Sequence, residues 1–182
     1  MVSITLSYEE GLAATVKAAH QMMTNTERGW IGRDHGGQSG RALCERWAQA
    51  IYGQFFEEAA CKYLGIYSSA SLAGLSSGDP GGYGIRGTPW ANGCLIVNRA
   101  ELPKHNDTPF ILVTGDWPTF KIAGWIYGKD AYRREWWKPD GKPPSLWVPQ
   151  SALNKIETLP PAKPLTEIHG QGNAGNHTTP YA

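Results

Sequence analysis

The stretch GDPGGYGIRGTP, residues 78–89, combines an acidic and a basic residue at a spacing that suits phosphate chemistry. Asp79 precedes a Pro-Gly-Gly turn, and Arg86 follows on a strand-like segment. Because side chains alternate along a strand, positions 84 and 86 lie on one face, and position 84 is glycine. A carboxylate can bind Mg²⁺, and a guanidinium can hold a phosphate through two parallel hydrogen bonds. The same residues also fit an ordinary turn followed by a surface ion pair.

A second candidate feature is the presence of basic residues beside aromatic ones. RREWWKPDGK, residues 133–142, joins cations to two tryptophans, and the loop 24–40 places two arginines near Trp30. Such cations contact nucleic-acid phosphates, and such rings stack on unpaired bases. A cation–aromatic cluster packed over a sheet edge is the alternative interpretation. The candidate nucleic-acid-binding residues are Arg28, Arg33, Arg133, Arg134 and Lys138.

Hydrophobic periodicity predicts the elements that position these residues. Ser7 and Glu10 match a capping box, and the apolar residues after them predict a first helix over 8–23. A second helix over 41–64 repeats apolar residues every four positions, carries Glu57 on its polar face and ends at Gly65. Strand-like segments follow, and their short connections favour antiparallel pairing. The sequence therefore predicts an α+β fold: two N-terminal helices, then a small sheet that is mostly antiparallel or mixed.

Length and local composition predict one domain and a tail. At 182 residues the chain is long enough for a single core, which we assign to residues 1–156. Residues 157–182 are rich in proline, glycine, asparagine and threonine and have little to bury. This composition predicts an extended tail.

Bulk composition excludes some function classes. The net charge is +1, so nucleic-acid binding would need a local basic patch. The longest apolar runs, such as FILVTG, fall far short of the roughly 20 residues of a membrane span, so no membrane partner is expected. Cys44, Cys61 and Cys94 form no CxxC pair, which favours buried or half-buried thiols in a reducing, cytoplasmic compartment.

Four stretches between about residues 50 and 153 carry a resemblance to a known family. They are EEAACKYLG, DPGGYGIRGTPWANGCLIVNR, PFILVTGDWPTFKIAGWIYGKDA and WVPQSAL. In this order they resemble the PD-(D/E)XK nuclease-like superfamily, particularly small endonuclease-like proteins of bacteriophages and bacteria. The resemblance implies a restriction-endonuclease-like core, hydrolysis of DNA, and Mg²⁺ or Mn²⁺ as cofactor.

The resemblance also implies roles for individual residues. It assigns catalytic positions to Asp79, Glu57 and Arg86, with Asp79 and Glu57 as the metal ligands. Arg86 replaces a lysine that helps to position or activate the attacking water, and a guanidinium cannot act as a general base. Gly84 stands where the family places its second carboxylate. This glycine could mark the close approach of another backbone, a bulge or a lost metal ligand.

Two main functions follow as expectations. The first is a metal-dependent DNA endonuclease whose cleavage is impaired by Gly84. The second is a catalytically inactive nuclease-fold module that binds nucleic acid or inhibits a host protein. The expected partners are DNA and, for the second function, a host protein or further copies of the chain, in the host cytoplasm if a phage encodes it. A structural phage component that assembles through its tryptophans and its tail is a weaker alternative.

Overall fold

The computed structural model describes residues 1–27, 43–66, 80–98, 105–139 and 144–162. The two main helices are α1 (Tyr8–Glu27) and α2 (Leu43–Leu64), and a short helix α3 (Gly128–Ala131) follows the longest strand. The strands are β1 (Val2–Thr5), β2 (Gly84–Thr88), β3 (Leu95–Asn98), β4 (Pro109–Asp116), β5 (Thr119–Tyr127), β6 (Trp137–Lys138) and β7 (Ser145–Val148). Within the described ranges, no helix combines the length and the apolarity that a membrane crossing needs.

The strands form two sheets, and the fold class is the predicted α+β. The larger sheet has the order β1-β5-β4-β2, and the smaller has the order β3-β7-β6. Strands β4 and β5 pair antiparallel, but β2 and β4 pair parallel, so the larger sheet is mixed. Segment 89–108, which includes β3, makes the long connection that a parallel pair requires. The N-terminal strand β1, which pairs with β5, was not expected from the sequence.

Helix α1 begins with the predicted capping box. The Ser7 N–H donates to Glu10 Oε2 at 2.6 Å, and the Glu10 N–H donates to Ser7 Oγ at 3.3 Å. The helix continues past residue 23 to Glu27, and the hydroxyl of Thr26 donates to the carbonyl of Met22 within this extension. The predicted start is therefore confirmed, and the predicted end is four residues early.

Helix α2 packs against the four strands of the larger sheet and also against α1. It continues through Gly53 and ends at Gly65, whose φ of 63° allows the Ile66 N–H to reach the Cys61 carbonyl. Salt bridges join it to α1, from Lys17 to Glu58 at 3.2 Å and from Lys62 to Glu10 at 2.8 Å. Cys44 at its start is exposed, contrary to expectation, whereas Cys61 is buried.

Strand β4 separates two hydrophobic cores. Ile111 and Val113 face the first core, which lies between α2 and the larger sheet. Phe110 and Leu112 face the second core, which the smaller sheet covers. Both faces of β4 are buried, which explains its nearly continuous apolar sequence.

The chain returns to the first core after β7. Ile156 is buried there, and Leu159 and Ala162 pack against the same cluster. The Tyr83 hydroxyl donates to the Pro160 carbonyl at 2.7 Å. Residues 157–162, which the sequence assigns to the tail, thus contact the domain, and the rest of the predicted tail lies outside the described residues.

Candidate functional site

An open groove of about 580 Å³ lies between α2 and the edge strand β2. One face of α2 supplies one wall, because residues four positions apart on a helix point the same way. The groove is lined by Ala48, Gln49, Tyr52, Gly53, Phe56 and Glu57 of α2, by Ile85, Arg86 and Gly87 of β2, and by Pro89.

Two of the three catalytic positions that the resemblance implies, Glu57 and Arg86, line this groove. Gln54 Nε2 donates to Glu57 Oε2 at 3.2 Å, so the carboxylate is oriented by a residue of the preceding helical turn. The neighbouring Glu58 instead forms the salt bridge with Lys17 of α1. The two adjacent glutamates therefore face different surroundings.

Arg86 lies on β2, where its guanidinium is held beside aromatic and backbone groups. Its Cζ lies 5.3 Å from the centre of the Phe110 ring, and Nη1 donates to the Ile85 carbonyl at 2.8 Å. Both contacts hold the guanidinium on the Phe110 side of β2, and Arg86 is also one of the residues that line the groove. A guanidinium so placed can bind a phosphate but cannot accept a proton near neutral pH.

Gly84 has a packing explanation. It pairs with Phe110 across the parallel strands, and a Cβ at position 84 would overlap the Phe110 ring. Phe110 is fully buried in the second core, so its ring has little room to move. The close approach at Gly84 is therefore to the side chain of Phe110 and not, as the sequence suggested, to another backbone. Position 84 faces the second core, whereas Ile85 and Gly87 face α2.

The metal site implied by the resemblance is not completed by the described residues. Asp79 lies outside the described residues, and so does any distance from its carboxylate to that of Glu57. Pro80, which follows Asp79, is described and is buried. No group of three or more His, Cys, Asp or Glu side chains suited to a metal ion occurs in the described part of the chain. Among the described residues that line the groove, Glu57 is the one carboxylate. Arg86 is the one cation, and a guanidinium does not bind a metal ion. This donor set does not fit a divalent cation by itself.

Tyr52 and Gly53 are groove residues that the sequence analysis missed. The Tyr52 hydroxyl donates to Asp116 Oδ1 at 2.7 Å, which ties α2 to the β4–β5 turn. That hydrogen bond, followed by burial, raises the pKa of Tyr52 above its ordinary value. Counting back from Glu57 in steps of four along the predicted helix gives Gly53 and Gln49. This spacing could have identified the wall of the groove.

The basic residues of the 133–138 stretch lie away from the groove. Arg133, Arg134 and Lys138 are exposed around β6, at the outer edge of the smaller sheet. The Arg133 guanidinium lies 4.8 Å from the centre of the buried Trp136 ring. This contact agrees with a cation–aromatic cluster over a sheet edge. Arg28 and Arg33 lie outside the described residues.

Comparisons with known proteins add no further assignment. No protein-family model, curated protein or solved structure matches the chain.

Proposed function

We propose that the α2–β2 groove binds the phosphate backbone of nucleic acid, DNA in the first instance, on an endonuclease-like scaffold. The observation that carries this proposal is that Glu57 and Arg86, two positions that the resemblance assigns to one site, line a single groove. Arg86 supplies a fork of N–H donors for a phosphate. Because the net charge of the chain is only +1, this local cation and not the overall field of the protein would hold the ligand.

Binding without cleavage is the form of this function that the groove favours. A side chain at position 84 would overlap the Phe110 ring, so the second carboxylate has no room there. Arg86 cannot act as the general base. Neither feature weakens a hydrogen bond from a guanidinium to a phosphate. We therefore expect binding that does not depend on a divalent cation.

A second candidate is the metal-dependent endonuclease, with Mg²⁺ or Mn²⁺ held by Glu57 and Asp79. The observation that favours it is the carboxylate of Glu57, oriented by Gln54 and facing the groove. Mg²⁺ needs only one or two protein carboxylates when substrate phosphates complete its shell. This candidate requires Asp79 as the second ligand.

One set of measurements tests both candidates. Binding of fluorescent DNA by the parent protein, Arg86→Gln and Lys121→Gln is measured by anisotropy, with EDTA or with Mg²⁺, and cleavage is followed on gels. The control Lys121→Gln removes the same unit charge from an exposed residue of β5 outside the groove. We expect Arg86→Gln to weaken binding about tenfold or more, the size of one hydrogen bond to a charged group, and the control to change it little.

The two candidates give different results with EDTA. Equal binding in EDTA and Mg²⁺ without cleavage supports the metal-independent module. Cleavage that EDTA abolishes and Glu57→Gln removes supports the endonuclease instead. If Arg86→Gln and Lys121→Gln bind DNA equally well, the groove is not the binding site.

A further inference from the structure

Gly53 occupies the middle of α2 without a packing reason. Among the described residues, a Cβ at this position would meet nothing within 4 Å, and the φ of Gly53 is not among the positive ones. At Gly84 and Gly87, by contrast, a Cβ would overlap a phenylalanine ring. Glycine in a helix interior costs about 1 kcal/mol relative to alanine. The space above Gly53 is part of the groove, so the glycine keeps the groove open.

The side chains around Gly53 have the character of a nucleotide site. Tyr52 presents a half-buried ring, held by Asp116 at 2.7 Å and packed edge-on against Phe55 at 6.0 Å between centres. Gln49 and Glu57 lie one helical turn before and after the glycine, and both line the groove. An amide and a carboxylate can pair with the edges of bases.

Among the described lining residues, Arg86 of β2 carries the one charge that is complementary to a phosphate. The volume of about 580 Å³ falls within the range of pockets that hold one small-molecule-sized ligand. A base inside a duplex is stacked and paired and cannot enter such a pocket, whereas an unpaired base can.

We infer that the groove holds one unpaired nucleotide, with its base above Gly53 beside Tyr52 and its phosphate at Arg86, so that the substrate class is single-stranded nucleic acid. This inference rests on the proposed function and specifies its ligand. If the groove contacted only the backbone of a duplex, binding would use Arg86 alone. The affinity would then not depend on the residue at position 53.

Substitutions at Gly53 test this inference. Gly53→Ala and Gly53→Leu fill the groove in two steps, and Ala13→Leu, on an exposed position of α1, is the matched control. The probes are a fluorescent single strand of about 12 nucleotides and the same strand annealed to its complement, a length within the range of single-strand sites. Thermal unfolding of each variant is measured in parallel.

We expect the parent protein to prefer the single strand, and Gly53→Leu to weaken single-strand binding about tenfold, the effect of losing one stacked base. Gly53→Ala should weaken it less while raising the melting temperature, because alanine favours the helix. Loss of binding together with gain of stability cannot come from misfolding. Ala13→Leu should bind as the parent does.

Failure of the inference and failure of the proposed function are distinguishable. If the parent binds single strand and duplex equally and the Gly53 variants bind normally, while Arg86→Gln binds weakly, the single-strand inference is wrong and the phosphate groove stands. If the parent binds neither probe, both proposals are wrong. Should Gly53→Leu fail to fold, normal binding by a folded Gly53→Ala would still count against the inference.

Discussion

Gly84 and Gly53 show how one residue type serves opposite purposes. Gly84 is glycine because the Phe110 ring occupies the space of a side chain, whereas a Cβ at Gly53 would meet no atom of the described residues within 4 Å. In the sequence each glycine lies inside a predicted element, Gly84 in a strand and Gly53 in a helix. Only the neighbours brought by folding separate a packing glycine from one that leaves room for a ligand.

The two glycines should respond differently to the same substitution. Gly84→Ala should lower the free energy of unfolding by about 1–3 kcal/mol, because the added Cβ overpacks the second core. Gly53→Ala should raise it by up to about 1 kcal/mol. Urea unfolding of the two variants and the parent measures both effects. Equal stability of Gly84→Ala and the parent would contradict this packing role for Gly84.

Glu10 connects the start of α1 to α2, and its contribution should depend on pH. Its pKa is lowered first by the hydrogen bond from Lys62 and then by the hydrogen bond from the Ser7 N–H. A lowered pKa in the folded state stabilises the fold above the ordinary carboxyl pKa of about 4.3, and this stabilisation is lost as the pH falls through the folded value.

Glu10→Gln keeps an acceptor for the capping box but loses the charge, so it should destabilise the protein near neutral pH by about 0.5 kcal/mol, a typical value for a partly exposed ion pair or a charge at a helix N-terminus. The difference from the parent should shrink in acid, because the parent carboxyl is then protonated as well. Urea unfolding at about pH 7 and at about pH 3 measures the change. A difference that is the same at both pH values would contradict a role for the Glu10 charge.

At the scale of elements, the groove exists because α2 packs against the edge strand β2 through Gly87. A Cβ at Gly87 would overlap the ring of Phe56, so the glycine allows the helix to lie close to the strand. Phe56 is buried and packs edge-on against Phe120 at 5.7 Å between ring centres. The distance between the two groove walls thus depends on one glycine and one phenylalanine.

This contact predicts non-additive stability. Gly87→Ala should cost about 1–3 kcal/mol through overpacking, and Phe56→Leu should cost a similar amount through lost contacts. The double variant should lose less than the sum, because the smaller leucine leaves space for the alanine. Urea unfolding of the four proteins gives the interaction energy. Strict additivity would show that the helix and the strand do not meet at this point.

At the scale of the whole molecule, the last described segment completes the first core. Ile156 is 3% exposed, and Trp125 Nε1 donates to the Lys155 carbonyl at 3.1 Å. Ile156→Ala should destabilise the protein by about 2–5 kcal/mol, as expected for truncation of a buried isoleucine. Glu157→Ala, at the adjacent exposed position, is the control. If thermal and urea unfolding do not distinguish the two variants, this segment is not part of the cooperative domain.

Local patterns in the sequence determined the fold class and the helix caps. The Ser7–Glu10 capping box and the glycine after α2 involve residues close in sequence, where neighbours in sequence are also neighbours in space. The apolar periodicity predicted the existence of α1 but not its buried face, because Leu12, Val16 and Met23 are exposed. The same reasoning gave α2 and the polar position of Glu57. It missed β1, because a strand of four residues has little signal of its own and forms through pairing with β5.

Tertiary structure decided which residues share a site. The parallel pairing of β2 with β4 places Phe110 beside Gly84, although residues of another sheet separate them along the chain. The same packing brings Arg86 to the groove of Glu57 and leaves Arg133, Arg134 and Lys138 at the edge of the other sheet. Contacts of this kind depend on which strands pair and which faces are buried. The residues between the partners carry no local pattern from which those choices can be read.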